Sequence, residues 1–472
     1  MFSTHSPPSK TTQMRLSKAQ TTARVHAFPT LRFEHQRLTA FSGLVLIQAL
    51  LQRLRLKERL GQCQGPDGER GSYGFGLLML LLVVHLLLGF RNLRDRDLYA
   101  KDPLVLRTLG LRCLPDVSTL SRRLASATPA QGAAVQRLLR AVVLDRLEQE
   151  RLARVTVDLD GSVLSTRRHA EGSAVGYNRK RKGERSYYPL LATVAQTGQF
   201  LDVLHRPGNV HDSKGAQAFA TECIRAVRSR LPRAQVEVRM DSAFFSESMV
   251  QALDQARVEF AVSVPFERFP QLKQVLAQQQ DWRTIDDQWA YAETNWQPQS
   301  WQQRSFRFVL LRCRRKVQQK GPLQLDLFKP TDLVYEYKVL VTNKACDGAT
   351  ALFFHNGRGS QEALIGEAKD ACGLGYVPSR RRIANQLFCT AALLAHNLGR
   401  ELQMAATPRA SVSEPQRPAL WPFQTLRHLR DRLLLRPGRL TQPKGVLTLT
   451  ASLEPKAQAL LQHYLAAQTV AA

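Results

Sequence analysis

The sequence predicts an α/β protein, with a core preceded by an all-helical region and interrupted by a β-rich insertion. Three observations predict it. From residue 38 to 150 the apolar spacing is helical and almost free of strand signals, and at residue 154 it changes to the alternation of strands. Between 154 and 265 three strand signals in a row are followed by helix, strand, helix and strand. A tryptophan-rich stretch, 281–336, then separates these from one more strand signal at 337–343.

Residues 1–37, rich in Ser, Thr, Pro and Lys/Arg, are expected to be a flexible basic arm without the apolar core of a signal peptide. In the helical region, 38–150, Ile47, Leu50, Leu51 and Leu54 share one amphipathic face. The stretch FGLLMLLLVVHLLLGF (75–90) is too short for a confident membrane span and fits a buried helix. In LGLRCLPDVSTLSRRLAS (109–126), Pro115, Asp116, Ser118 and Thr119 start a helix that carries Arg122 and Arg123. The helix before it and this basic helix suit either a helix-turn-helix contact with DNA or one amphipathic helix with its arginines in water.

RVTVDLD (154–160) is the first core strand, and YYPLLATVAQ (187–196) and QFLDVLHRPG (199–208) form a hairpin about Thr197-Gly198. A helix over 213–230, the strand VEVRMD (236–241), a helix over 244–256 and the strand VEFAVSVP (258–265) follow. That order is the order of a ribonuclease-H-like fold. The core is expected to run over 151–280 and 337–405, with the β-rich insertion at 281–336 holding Trp282, Trp289, Trp296, Trp301 and a Gly-Pro turn at 321–322. Residues 406–472 are Pro- and Arg-rich, with a strand signal GVLTLTA and a short helix over 455–467.

Charge narrows the partners. Lys and Arg number 67 against 39 Asp and Glu, a formal charge of +28 with a pI near 10.4. This excess is unlike a metabolic enzyme and favours a polyanion, nucleic acid ahead of a membrane surface. The seven cysteines are scattered and never form Cys-x-x-Cys, which indicates neither a disulfide framework nor a zinc site and suits a reducing compartment.

Asp158 and Asp160 have period-2 spacing and point to one side of the first strand. Asp160 and Asp241 both stand at carboxyl ends of strands, where open α/β sheets bind ligands. Asp241 also suits a helix cap, and Asp158 a salt bridge to arginine. FFHNGRGSQEALIGEAKDACGLG (353–375) has turn-forming Asn356, Gly357 and Gly359 before a helix on which Glu362 and Lys369 share a face, with Arg358 just ahead. Asp160, Asp241 and Glu362, with Asp158 as a further candidate, are thus expected to hold two divalent cations, Mg²⁺ or Mn²⁺ rather than zinc. The loop 167–188 carries seven Lys/Arg against two Glu, among them Arg179, Lys180, Arg181 and Lys182. Tyr177, Tyr187 and Tyr188 lie among these cations, suited to stacking on bases. His205, Asn209 and His211 suit turn and supporting roles, and Arg380, Arg381 and Arg382 add a second basic cluster.

These residues resemble a known family. Asp160 in VDLDGS, Asp241 in VRMDSAFFS and Glu362 look like the DDE triad of insertion-sequence-4-like transposases, and most resemble the insertion-sequence-1380-like group. Arg358, Glu362 and Lys369 match that superfamily's Tyr-x2-Arg-x3-Glu-x6-Lys spacing, with His355 at the tyrosine position. The likeness covers roughly 40–405, and GYNRKRKGERSYYPLLATVAQTGQFLDVLHRPGNVHDSKGA carries much of it. The resemblance implies a helical domain for the element's terminal inverted repeats and Mg²⁺-dependent cleavage and strand transfer. It also implies contacts of Arg358 and Lys369, and of His355 as a hydrogen-bond donor, with DNA phosphates. A homodimer on paired DNA ends, in a bacterial cytoplasm on the nucleoid, follows from the same likeness. A ribonuclease-H-fold nuclease without strand transfer and a non-catalytic DNA-binding protein are the alternatives.

Overall fold

The computed structural model describes residues 17–469 except 28, 33, 35, 66–72, 167–168, 177, 179–180, 302–305, 315–333 and 411–413. Its centre is a nine-stranded sheet. In chain order the strands are β1 (Arg154–Gly161), β2 (Leu190–Val194), β3 (Gln199–Leu204), β4 (Gln235–Met240), β5 (Glu259–Val264), β6 (Arg283–Thr284), β7 (Trp289–Trp296), β8 (Phe306–Arg314) and β9 (Tyr335–Thr342). Across the sheet they run β6-β7-β8-β9-β5-β4-β1-β2-β3. β1, β4 and β5 are mutually parallel, and the other neighbours are antiparallel.

The pleat sorts β1 and β4 into two unlike faces. Val155, Val157 and Leu159, with Val236, Val238 and Met240, enter a hydrophobic core against the helices Ala216–Arg230 and Glu247–Gln255. The alternate residues form a polar row: Thr156, Asp158 and Asp160 beside Glu237, Arg239 and Asp241. That row is covered by α2 (Gly348–Asn356), α3 (Gly359–Ala371) and the segment around Gln416. Buried charges are costly unless paired, so the row's fate depends on its partners.

The helical region does not stand apart from the sheet. The helices Leu44–Arg53, Phe75–Leu87 and Val117–Ala125 share one apolar cluster with α4 (Arg382–Ala406) and with Leu191, Phe200 and Val203 of the sheet. Asn397 of α4 fixes this packing by exchanging two 2.8 Å hydrogen bonds with the Phe200 backbone. The helix α1 (Pro129–Glu150) bridges both cores. Phe75–Leu87 is the buried helix expected, and among the described residues no helix is long and apolar enough to cross a membrane.

Several expectations change in detail. Within the expected flexible arm, Lys18–His26 is an exposed helix closed by a Ser17–Gln20 capping box. Pro189 divides the strand expected from 187: Arg185–Tyr187 joins a small sheet with Leu164–Thr166 and Ala174–Val175, and Leu190–Val194 joins the main one. The hairpin turn at Thr197-Gly198 stands, with Gly198 at φ +57°. The described strands of the insertion join the central sheet, where β7 and β8 extend it outward from β9. The Gly-Pro turn at 321–322 lies outside the described residues. In the C-terminal segment, Gly438–Thr441 pairs with Leu38–Thr39 and Thr448–Thr450, and the last helix spans Pro455–Thr469.

Candidate active site

The lower half of the polar row is closed. Both oxygens of Asp158 accept from Arg239, one at 2.7 Å from Nη2, and neither side chain exceeds 1% exposure. Asp158 is therefore an ion-pair partner rather than an open ligand, although burial still pushes its pKa up against Arg239. Glu237 accepts from Thr156 (2.7 Å), Lys344 (2.8 Å), Arg154 (3.0 Å) and Arg417 (3.1 Å). Burial works to raise its pKa, but these partners outweigh it and hold it at about 2.

Among the described residues the upper half is open and under-paired. Asp160 and Asp241 follow the paired residues Leu159 and Met240, so they stand side by side at the carboxyl ends of parallel strands. Asp160 Oδ1 accepts from its neighbour Gly161 N–H at 2.8 Å, and Asp241 Oδ1 accepts from Ala243 N–H at 3.0 Å. Asp241 thus caps a single turn, Ser242–Phe244, and the helix expected over 244–256 starts instead at Glu247, capped by Ser246. Burial lifts Asp160 to about pKa 6, with Asp241 and Glu362 adding to the rise while Arg358 opposes it. Asp241 is raised by burial too, and further by Asp212 and Glu362, again against Arg358. Each carboxylate feels its neighbours' charge.

Glu362 lies in the first turn of α3. Arg358, at the junction of α2 and α3, spans the group: Nη1 is 3.3 Å from Asp160 and Nη2 is 3.4 Å from Glu362. Its own side chain is mostly buried, while that of Glu362 is 67% exposed. Lys369, two turns further along α3, donates to the Val163 carbonyl at 3.2 Å, tying α3 to the chain just beyond β1.

His355 corrects an expectation. It is 4% exposed, with Nε2 3.1 Å from the Met240 carbonyl and Nδ1 3.0 Å from Lys338 Nζ. Burial holds its pKa well below the ordinary value, with Lys338 adding to the effect. A neutral, enclosed imidazole supports the end of β4 and is no surface contact for phosphate. Lys338, which sequence reasoning did not single out, also donates to Asn356 at 2.9 Å, and burial followed by Arg358 lowers its pKa to about 8.

Of the other expected DNA residues, Arg122, Arg123, Arg181 and Lys182 are described. Arg122 is exposed and Arg123 half-buried on Val117–Ala125, whose Leu120 and Leu124 face the core. Arg181 and Lys182 are exposed, while Arg179, Lys180 and Tyr177 lie outside the described residues. Of the stretch HRPGNVHD, His205 is buried against Tyr187 and His211 bonds Ser213, as supporting residues would. Its last residue, Asp212, was not singled out in the sequence. It lies with Tyr188 against Gly161, the residue that follows Asp160.

Among the described residues no group of three or more His, Cys, Asp or Glu side chains is disposed to hold a metal ion. The donor chemistry of the upper row, all carboxylate, is that of a hard divalent cation. Its present disposition is that of acids bridged by a guanidinium.

No curated protein matches the chain. Among solved structures it is similar to a piggyBac transposase synaptic complex with hairpin DNA, at 12% identity and a TM-score of 0.42, over 90% of this chain and 85% of that one. It is also similar to a Mos1 transposase paired-end complex with a left transposon end, at 12% identity and a TM-score of 0.18, over 41% of this chain and 61% of that one. The sequence matches the family described as transposase DDE domain group 1 over residues 27–467. The chain belongs to that family of DDE transposases.

Proposed function

We propose that the chain binds the terminal inverted repeats of an insertion sequence, cleaves the DNA at its ends and joins the freed 3′-hydroxyl to target DNA. The observation that carries this reading is the contact of Arg358 with both Asp160 and Glu362, with Asp241 beside Asp160 at the carboxyl edge of parallel strands. The order β3-β2-β1-β4-β5, antiparallel on one side of β1 and parallel on the other, supports a ribonuclease-H-like core. The assignment to the insertion-sequence-4-like superfamily rests on the spacing of Arg358, Glu362 and Lys369.

Asp160, Asp241 and Glu362 would hold Mg²⁺ or Mn²⁺, which when bound supplies activation of the attacking oxygen and charge stabilisation of the leaving one. Water attacks the phosphodiester at the element's end and leaves a 3′-hydroxyl. That hydroxyl then attacks a phosphodiester of the target. Arg358 and Lys369 neutralise phosphates beside the acids, which would otherwise repel the DNA. Arg122 and Arg123 of the helical region, with the basic run at 179–182, extend the DNA surface to the inverted repeats. Two copies act together on paired ends, in a bacterial cytoplasm on the nucleoid.

The test uses Asp241→Asn and Glu362→Gln proteins that melt normally and bind transposon ends as wild type does. Both are expected to lose Mg²⁺-dependent cleavage. Wild-type cleavage by either sinks the assignment, and cleavage without joining of 3′-ends would make the protein a nuclease.

A further inference from the structure

We infer that Tyr188 and Asp212 are positioning residues for the reaction proposed above, clamping the backbone at Gly161 and through it the carboxylate of Asp160. The inference rests on that reading of Asp160. A Cβ built on Gly161 would meet the Tyr188 hydroxyl at 2.4 Å and Asp212 Oδ1 at 2.8 Å, distances that no side chain tolerates. Only glycine lets the two polar groups approach this close. The same residue's N–H makes the 2.8 Å hydrogen bond to Asp160 Oδ1. Whatever fixes the Gly161 backbone therefore fixes the orientation of the first catalytic acid.

The clamp is itself braced. Arg206 donates to the Tyr188 carbonyl at 3.1 Å and lies over the Tyr188 ring, 5.4 Å from its centroid. Its Nη1 also donates to the carbonyls of His211 (3.1 Å), Asp212 (3.1 Å) and Lys214 (2.8 Å). One guanidinium thus holds both halves of the clamp, the strand end carrying Tyr188 and the loop carrying Asp212. Tyr188 N–H closes the arrangement by donating to the Arg206 carbonyl at 2.8 Å. With one ring face towards Arg206 and its hydroxyl turned to Gly161, Tyr188 is better placed to hold the strand end than to stack on a base. Tyr187, next in sequence, points elsewhere, its hydroxyl 2.6 Å from the Glu171 carbonyl.

A displaced catalytic carboxylate lowers the chemical step rather than binding, because a misplacement near 1 Å costs on the order of 10²-fold. Tyr188→Ala is expected to slow single-turnover cleavage of saturating transposon ends about 100-fold, with end affinity unchanged and the protein still folded at the assay temperature. Tyr188→Phe, which keeps the ring wedge, should recover most of that rate. Asp212→Ala should slow cleavage in the same direction, and the double variant should lose little more than Tyr188→Ala alone. Backbone amide spectra of isotope-labelled protein give a readout independent of activity: the Gly161 amide resonance, assigned sequentially from its neighbours, should move in Tyr188→Ala as its hydrogen bond loosens. An unmoved Gly161 resonance, wild-type cleavage by Tyr188→Ala, or a loss of end affinity matching the loss of rate would each overturn the inference; the last would make Tyr188 a DNA contact. Asp241→Asn, run alongside, separates the two readings, because its wild-type cleavage would remove the catalytic assignment whatever Tyr188 does.

Discussion

Asp158 and Asp160 lie two residues apart on one face of β1, and their surroundings differ in kind. Asp158 is sealed beneath α2 and α3 with a dedicated arginine bonded to both oxygens. Among the described residues Asp160 has only the 2.8 Å bond from Gly161 N–H and one 3.3 Å contact with Arg358, and it sits at about pKa 6 among other acids. Glu237 and Asp241 repeat the contrast on β4: the first is held at about pKa 2 by its partners, the second is pushed upward. The lower row is charge spent on holding the sheet to its cover. The upper row is charge left unbalanced, and such strain is characteristic of sites that act on something else.

Three substitutions probe that contrast. The largest stability effect is expected for Asp158→Asn, which leaves Arg239 buried without its anion and should cost about 3–5 kcal/mol in denaturant unfolding. A loss under about 1 kcal/mol would show that the pair is not structural. Glu237→Gln should cost less, about 2–3 kcal/mol at neutral pH, because Arg154 and Arg417 are partly solvated. Its pH dependence follows from the sign of the shift. The folded pKa, about 2, lies below the ordinary 4.5, so the wild-type carboxylate contributes stability above pH 4.5 that is lost as pH falls towards 2. Glu237→Gln should flatten the stability profile in that window; an unchanged profile would assign the acid sensitivity to another group. Arg358→Ala should have the smallest effect, weakening end binding about tenfold and reducing the salt slope by about one. An unchanged slope would remove Arg358 from the phosphate contacts.

Much of this was legible in the sequence, for physical reasons. The period-2 spacing in RVTVDLD and VEVRMD fixes which residues share a face, and the seven-residue spacing of Glu362 and Lys369 fixes a helix face. These are local rules of geometry, and the strands and helix follow them. What was hidden depends on distant contacts. Nothing in FFHNGRG announces that His355 is the buried end of one helix while Arg358 begins the next. Tyr188 and Asp212 lie in separate segments, and Arg206 binds the backbone carbonyls of both. The alternation in FRFVLLRCR marks a strand without saying which sheet it joins, and pairing with β9 decided that. Asp158 was left between ligand and salt bridge because its choice belongs to Arg239 on the neighbouring strand.

The central claim is that the upper row is built for chemistry rather than stability. Asp160→Asn tests it most directly, by melting and by Mg²⁺-dependent cleavage of transposon ends on the same protein sample. Removing a buried, under-paired charge should leave stability unchanged or raise it by about 1 kcal/mol, while cleavage falls on the order of 10³-fold or more. A protein that melts several degrees lower, or that cleaves at the wild-type rate, would contradict the account.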